Sequence, residues 1–155
     1  MYTFGNKSKE NLKDVFPLLV NILNKVLETD DFSVDQGGRT EAQQWEAFNS
    51  GHSKVHPPDG NHLIKKLPGM DREYAFAVDI CPYLNGKRLA TDEKNFGPYQ
   101  MAQFAWFLRK VKCVGEELLK DTGWKLRFGI DWDSDMEILT DQTFQDWFHV
   151  EIIKQ

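Results

Sequence analysis

With 155 residues, 41% of them hydrophobic and 28% charged, the chain has the size and balance of one globular domain able to bury its own core. A net charge of −5 and the lack of a Lys/Arg block weigh against a nucleic-acid partner, and no apolar run is long enough to cross a bilayer. Cys81 and Cys113 are too few and too far apart for a cysteine zinc site, so both are expected as free, buried thiols.

In chain order, Ser8 is placed to cap a helix running to about Glu28. Leu12, Val15, Phe16, Leu19, Ile22, Leu23, Val26 and Leu27 recur there at helical spacing as one packing stripe, and Pro17 predicts a kink or interruption within it. Asp31 to Gln36 alternates through Phe32 and Val34 and predicts a short strand. Gly37-Gly38-Arg39-Thr40 follows. Thr40 with Gln43 makes a capping box, so a helix starts there and stops near Asn49-Ser50-Gly51. Arg39 is left between a strand end and a helix start, from which a guanidinium can enter a cleft and hold a carboxylate or an oxyanion. A plain surface arginine is the alternative.

Residues 53–72 form a long loop carrying His56 and His62, and loops of that length in a compact domain are usually functional or disordered. The run from Ala75 to Ile80 then alternates cleanly, with Phe76, Val78 and Ile80 toward the core. Ala75, Ala77 and Asp79 face the other way, where two alanines leave open space beside a carboxylate. Aspartate is disfavoured in mid-strand, so chemistry is its expected reason for being there. Asn85-Gly86 signals a hairpin turn. A long helix is expected from about Pro98 to Lys120, packing through Ala102, Ala105, Trp106, Leu108, Val111, Leu118 and Leu119 and ended by Thr122-Gly123. Trp124 to Phe128 predicts a strand, and Gly129 to Asp133 leads into a polar loop. In the last run Phe148, Val150 and Ile152 share one face of a strand, with His149 and Glu151 on the other. Glu151 reads equally as a partner of His149 or as a solvent-facing residue. No repeat or linker interrupts residues 1–155, so the expectation is a single α+β domain.

The chemistry-bearing residues are therefore His62 on a loop, Asp79 on a strand, and His149 on a strand with Asp146 three positions before it. Two imidazoles and a carboxylate suit a catalytic zinc, which takes three protein ligands and leaves a fourth position for water. Asp146, beside a ligand without being needed as one, is the natural general base, and Arg39 would steady charge on the reacting group.

The order of these fragments is recognisable. Gly38-Arg39-Thr40 with Gln43, Ser53-Lys54, Asn61-His62-Leu63, Ala75-x-Ala77-Val78-Asp79-Ile80 with Pro82-Tyr83, Gly129-x-Asp131-Trp132 and Asp146-x-x-His149-x-Glu151 resemble the zinc D-Ala-D-Ala-peptidase-like family. The nearest branch resembles the phage and prophage L-alanyl-D-glutamate peptidases, and the likeness covers nearly the whole chain. It implies a hedgehog/D-Ala-D-Ala-peptidase-like fold, a small antiparallel sheet that carries Zn2+ and is packed by helices. It implies His62, Asp79 and His149 as zinc ligands, Asp146 as catalytic base, and Arg39 as a substrate-binding or transition-state-stabilising residue. The implied activity is that of an endolysin hydrolysing the L-Ala–D-Glu bond of the peptidoglycan stem peptide, as a monomer that does not insert in membranes. Without a signal peptide at Met1, such a protein would wait in the host bacterial cytoplasm until a holin or similar route let it reach the wall.

Two features depart from the family pattern. His62 lies 17 positions before Asp79, more than the family spacing, so a segment within 63–74 reads as an insertion, with His56 or else His52 as the alternative first ligand. Gly60 replaces the serine usual two positions before that histidine. The insertion, with Lys65, Lys66 and Arg72, is expected beside the site. A D-Ala carboxypeptidase on the same scaffold and a non-catalytic zinc-binding interaction domain are the competing readings. Asp146 and Arg39 weigh against the second, because a structural site needs neither a base nor an oxyanion partner.

Overall fold

A computed structural model describes residues 1–89, 96–132 and 146–155; the polar loop expected from Asp133 onward lies outside them. The elements in order are α1 (Asn6–Asn11), α2 (Pro17–Leu27), β1 (Phe32–Gln36), α3 (Glu41–Asn49), β2 (Ala77–Leu84), β3 (Lys87–Arg88), α4 (Pro98–Leu118), β4 (Trp124–Phe128) and β5 (His149–Lys154). The strands make one antiparallel sheet in the order β1-β2-β5-β4, and β3 folds back on the far end of β2. The turn between β2 and β3 is Asn85-Gly86, with φ of 53° and 73°. Both residues are in the left-handed region, which a two-residue hairpin of this hand requires and which Asn-Gly tolerates best.

One face of the sheet is the core. Val34, Phe76, Val78, Ile80, Phe128, Val150 and Ile152 are all buried there, together with Leu19, Ile22, Leu23 and Val26 of α2 and Phe104, Phe107, Leu108 and Val111 of α4. Each such aliphatic or aromatic side chain contributes roughly 1.5–3 kcal/mol by leaving water, so this layer supplies most of the stability. Gly115 lets α4 lie close to β4: a Cβ there would come within 2.3 Å of Leu126 Cδ1.

The interruption expected at Pro17 is complete, so the first helix is two helices, and several other expectations need correction. Pro17 starts α2, where its missing N–H costs nothing, and residues 12–16 turn between the two. Ser8 is not a cap. It sits buried within α1 and accepts a hydrogen bond from the Val34 amide at 3.0 Å, pinning α1 to β1. On α4, Ala102, Trp106 and Leu118 face outward, Trp106 with 60% of its surface exposed, and the apolar work passes to Phe104 and Phe107. Cys81 is buried as expected, but Cys113 is exposed. The alanine face of β2 is not open either. Ala75 and Ala77 are fully buried, the Phe76 amide donates to the Asn61 carbonyl at 2.7 Å alongside the strand, and Ala77 stands opposite Glu151.

Candidate active site

The other face of the sheet is built by register. Asp79 of β2 stands directly across from His149 of β5, and Glu151 of β5 directly across from Arg127 of β4. Because side chains alternate along a strand, burying Val78, Ile80, Val150 and Ile152 forces Asp79, His149 and Glu151 to the opposite side together. His62 comes from the long loop. Its segment is held by a parallel bridge: the Arg39 amide donates to the His62 carbonyl at 2.7 Å and the Ile64 amide to the Arg39 carbonyl at 3.0 Å.

These residues converge. His62 Nε2 lies 3.1 Å from Asp79 Oδ1 and 3.2 Å from His149 Nδ1, and His149 Nδ1 lies 3.4 Å from Asp79 Oδ1. The outward nitrogens are already committed. His62 Nδ1–H donates to the Gly37 carbonyl at 2.9 Å, and His149 Nε2–H donates to Glu151 Oε2 at 2.9 Å. Each ring is thereby set in the tautomer that turns a lone pair toward the same point as Asp79 Oδ1. Ligands about 2.0–2.1 Å from a tetrahedral zinc stand about 3.3–3.4 Å apart, so a triangle with these edges fits such an ion. The three residues could hold a metal.

The electrostatics agree. Burial pushes the His149 imidazole down, but Asp79 and Glu151 outweigh it and lift its pKa to about 9. Burial opposes the charge on Asp79, yet the two imidazoles hold its carboxyl well below the usual range. Glu151, almost fully buried, is likewise disfavoured by burial but is brought to about 2 by His149, Asn61 and Arg127. The Asn61 amide donates to Glu151 Oε2 at 2.8 Å, and Arg127 pairs with Oε1. This is a pocket that attracts positive charge. Asp146 is pushed the other way, upward, by burial first and then by the charge of Asp79. Its Oδ1 accepts from the Phe148 amide at 3.2 Å, and no hydrogen bond from the described residues reaches its other oxygen.

Asp146 and Arg39 line one cleft of about 400 Å³ with His62, Asp79 and His149. The Arg39 guanidinium points inward, its Nη2 3.9 Å from Asp79 Oδ2. His56 does not join them. It donates from Nδ1 to the Pro57 carbonyl, and its ring packs edge-on against Trp45 and Phe48. His52 lines the cleft but pairs with Ser50 Oγ at 2.8 Å. The inserted segment leaves the cleft as well. It closes on itself through a Lys65–Tyr74 bridge, Leu67 and Met70 pack on the core, and Arg72 reaches the Lys13 carbonyl and Asp14. Lys65 looks back, donating to the Gly60 carbonyl and to Asn61 Oδ1 behind the site.

A family model described as phage L-alanyl-D-glutamate peptidase matches residues 1–153. The chain belongs to that family. An L-alanyl-D-glutamate peptidase of Escherichia phage T5 is 33% identical to it over 135 residues, which cover 86% of this chain and 83% of the relative. The crystal structure of the Serratia marcescens L-Ala D-Glu endopeptidase ChiX shares the fold, with a TM-score of 0.64 over 97% of this chain and 89% of that one, at 23% identity.

In this member of the phage peptidase family, three further residues contribute to the site; Gly129 and Trp132 stand in a motif quoted above that assigned them no role, and the third stands in none. Gly129 is the first. A Cβ there would stand 2.4 Å from the Asp146 carbonyl oxygen and 3.0 Å from His149 Cβ, so only glycine lets the chain between Asp146 and His149 close against β4. Two backbone bonds then clamp it: the Asp146 amide donates to the Gly129 carbonyl at 2.9 Å, and the Gly129 amide to the His149 carbonyl at 3.0 Å. Trp132 is the second, its ring tilted against His149 at 5.2 Å and beneath Arg127. The third is Gln44, a buried amide among these groups. A mid-helix glutamine carries no local signal of burial.

Proposed function

We propose that this chain is a zinc-dependent peptidoglycan hydrolase that cuts the L-Ala–D-Glu bond of the stem peptide, the reaction named for its phage T5 relative. The observation that carries the metal-dependent reading is the triangle of His62, Asp79 and His149, with both histidines oriented from behind and an uncoordinated carboxylate, Asp146, in the same cleft. A zinc ion bound there would supply Lewis acidity, polarising the scissile carbonyl and lowering the pKa of water toward neutrality.

The chain's own residues do the rest. Asp146, raised by its buried setting, accepts the proton of the attacking water and passes it to the D-Glu nitrogen as the C–N bond breaks. Arg39 offers guanidinium N–H donors to the oxygen that gains charge in the tetrahedral intermediate. His62 and His149 are fixed from behind by Gly37 and Glu151, so the site need not reorganise during reaction. Acting from the host bacterial cytoplasm after release, such an enzyme would contribute to cell lysis.

The test is digestion of purified Gram-negative peptidoglycan, with mass spectrometry of the fragments, for the native protein, a chelated sample and Asp146→Ala. New ends between L-Ala and D-Glu should appear with the native protein, vanish on chelation and return with added zinc. Release of terminal D-Ala alone would move the chain to the carboxypeptidase reading. Bound zinc without any cleavage would leave a non-catalytic domain.

A further inference from the structure

Gln44 is the one buried side chain of α3, a helix whose other residues stay at least partly in water, and only 1% of its surface is exposed. Burying an amide costs free energy unless all its polar atoms are partnered, whereas a leucine or methionine would fill the same volume at no such cost. Here every partner is a cleft residue. Gln44 Oε1 accepts from Arg39 Nη1 at 3.2 Å, and Nε2 donates to Ser53 Oγ at 3.0 Å and to the Val55 carbonyl at 2.9 Å. The orientation of the amide is unambiguous: a guanidinium can only donate and a carbonyl can only accept, so a flipped amide would break both bonds.

Arg39 is therefore held twice. Its backbone is bridged to the segment that carries His62, and its guanidinium is suspended between Gln44 and the second oxygen of Asp79. The Ser53–Val55 wall of the cleft hangs from the other end of the same amide. We propose that Gln44 is a positioning residue for the hydrolysis, one amide that aims Arg39 at the reacting carbonyl and fixes the 53–55 wall against which the substrate lies. The proposal rests on the reading of Arg39 as a substrate-facing group.

The division of labour within the amide makes it testable in the full, zinc-loaded chain. Gln44→Met keeps the volume and removes both functions. Gln44→Glu keeps an acceptor toward Arg39 but sets a carboxylate against the Val55 carbonyl. With a purified stem peptide as substrate, Gln44→Met should lower kcat on the order of 10- to 100-fold with zinc content unchanged. Gln44→Glu should hold kcat within a few-fold and raise KM, a split that a merely structural role would not give. Arg39→Ala should also lose kcat, and the kcat of Gln44→Met/Arg39→Ala should be no lower than that of Arg39→Ala, because the loss of kcat in both variants is the loss of Arg39 aimed at the carbonyl. The proposal is overturned if Gln44→Met keeps its kcat, if its loss multiplies with that of Arg39→Ala, or if Gln44→Glu loses kcat as Gln44→Met does. A silent Arg39→Ala would instead bring down the reading of Arg39, and the proposal with it. Should Gln44→Met not fold, Gln44→Glu alone decides by its kcat and KM.

Discussion

The two faces of the sheet are made by the same strands and obey different rules. On the core face Val78, Ile80, Val150 and Ile152 share one requirement, to fill space away from water, and neighbours of similar volume can substitute for each other. On the cleft face Asp79, His149 and Glu151 are specified atom by atom. His149 needs Nδ1 toward Asp79 and Nε2 toward Glu151, and no isostere supplies both. Errors on the first face should therefore appear as lost stability with chemistry intact, and errors on the second as the reverse.

The sharpest separation should come from Asp146→Asn. It preserves shape and the acceptor for the Phe148 amide but not the proton-accepting charge. We expect kcat to fall by about 10²–10⁴ with no loss of thermal stability, since burial already opposes that charge. Steady-state kinetics beside a melting curve would show it; a variant of native activity would remove Asp146 as the base. Next in size is Gly129→Ala, which places a methyl against the Asp146 carbonyl and His149 Cβ. Displacing those groups by about 1 Å should cost about 10²-fold in kcat/KM. Unchanged kinetics would mean that the close approach has no catalytic consequence.

Glu151→Gln should act on the metal and not on the core. Losing the charge behind His149 should weaken zinc binding by about 10- to 100-fold, read by competition with a chelator of known affinity. Zinc held as tightly as in the native chain would leave Glu151 to its bonds with Arg127 and Asn61. The smallest effect belongs to the core face. Ile80→Val, one methylene removed from a fully buried site, should cost about 0.5–1.5 kcal/mol on denaturant unfolding and leave kcat within two-fold. A large change in kcat would show that the two faces are not independent.

The two faces also differ in how far they could be read beforehand. Alternation along Phe76–Ile80 and Phe148–Ile152 was enough to put Asp79 and His149 on one side, because strand geometry leaves a side chain only two directions. The capping box at Thr40 and Gln43 was equally legible, being local chemistry within one turn. Local reading fails where exposure depends on what lies across the molecule. Trp106 and Cys113 match the helical stripe of α4 yet face water, and Ser8 reads as a cap although its partner is a strand 26 residues away.

By itself, then, the amino-acid order determined the α+β class, most of the element boundaries, and a candidate set of two histidines, two aspartates and an arginine. The tertiary structure alone decided that His62 and not His56 or His52 meets Asp79, that the 63–74 segment turns toward Lys13 and Asp14, and that Glu151 backs His149. It alone showed what Gly129 and Gln44 do. The reason is physical. Periodicity and capping act between residues a few positions apart, whereas the site is assembled by cross-strand register and by the path of a loop, and its atoms meet across as many as 90 positions of chain.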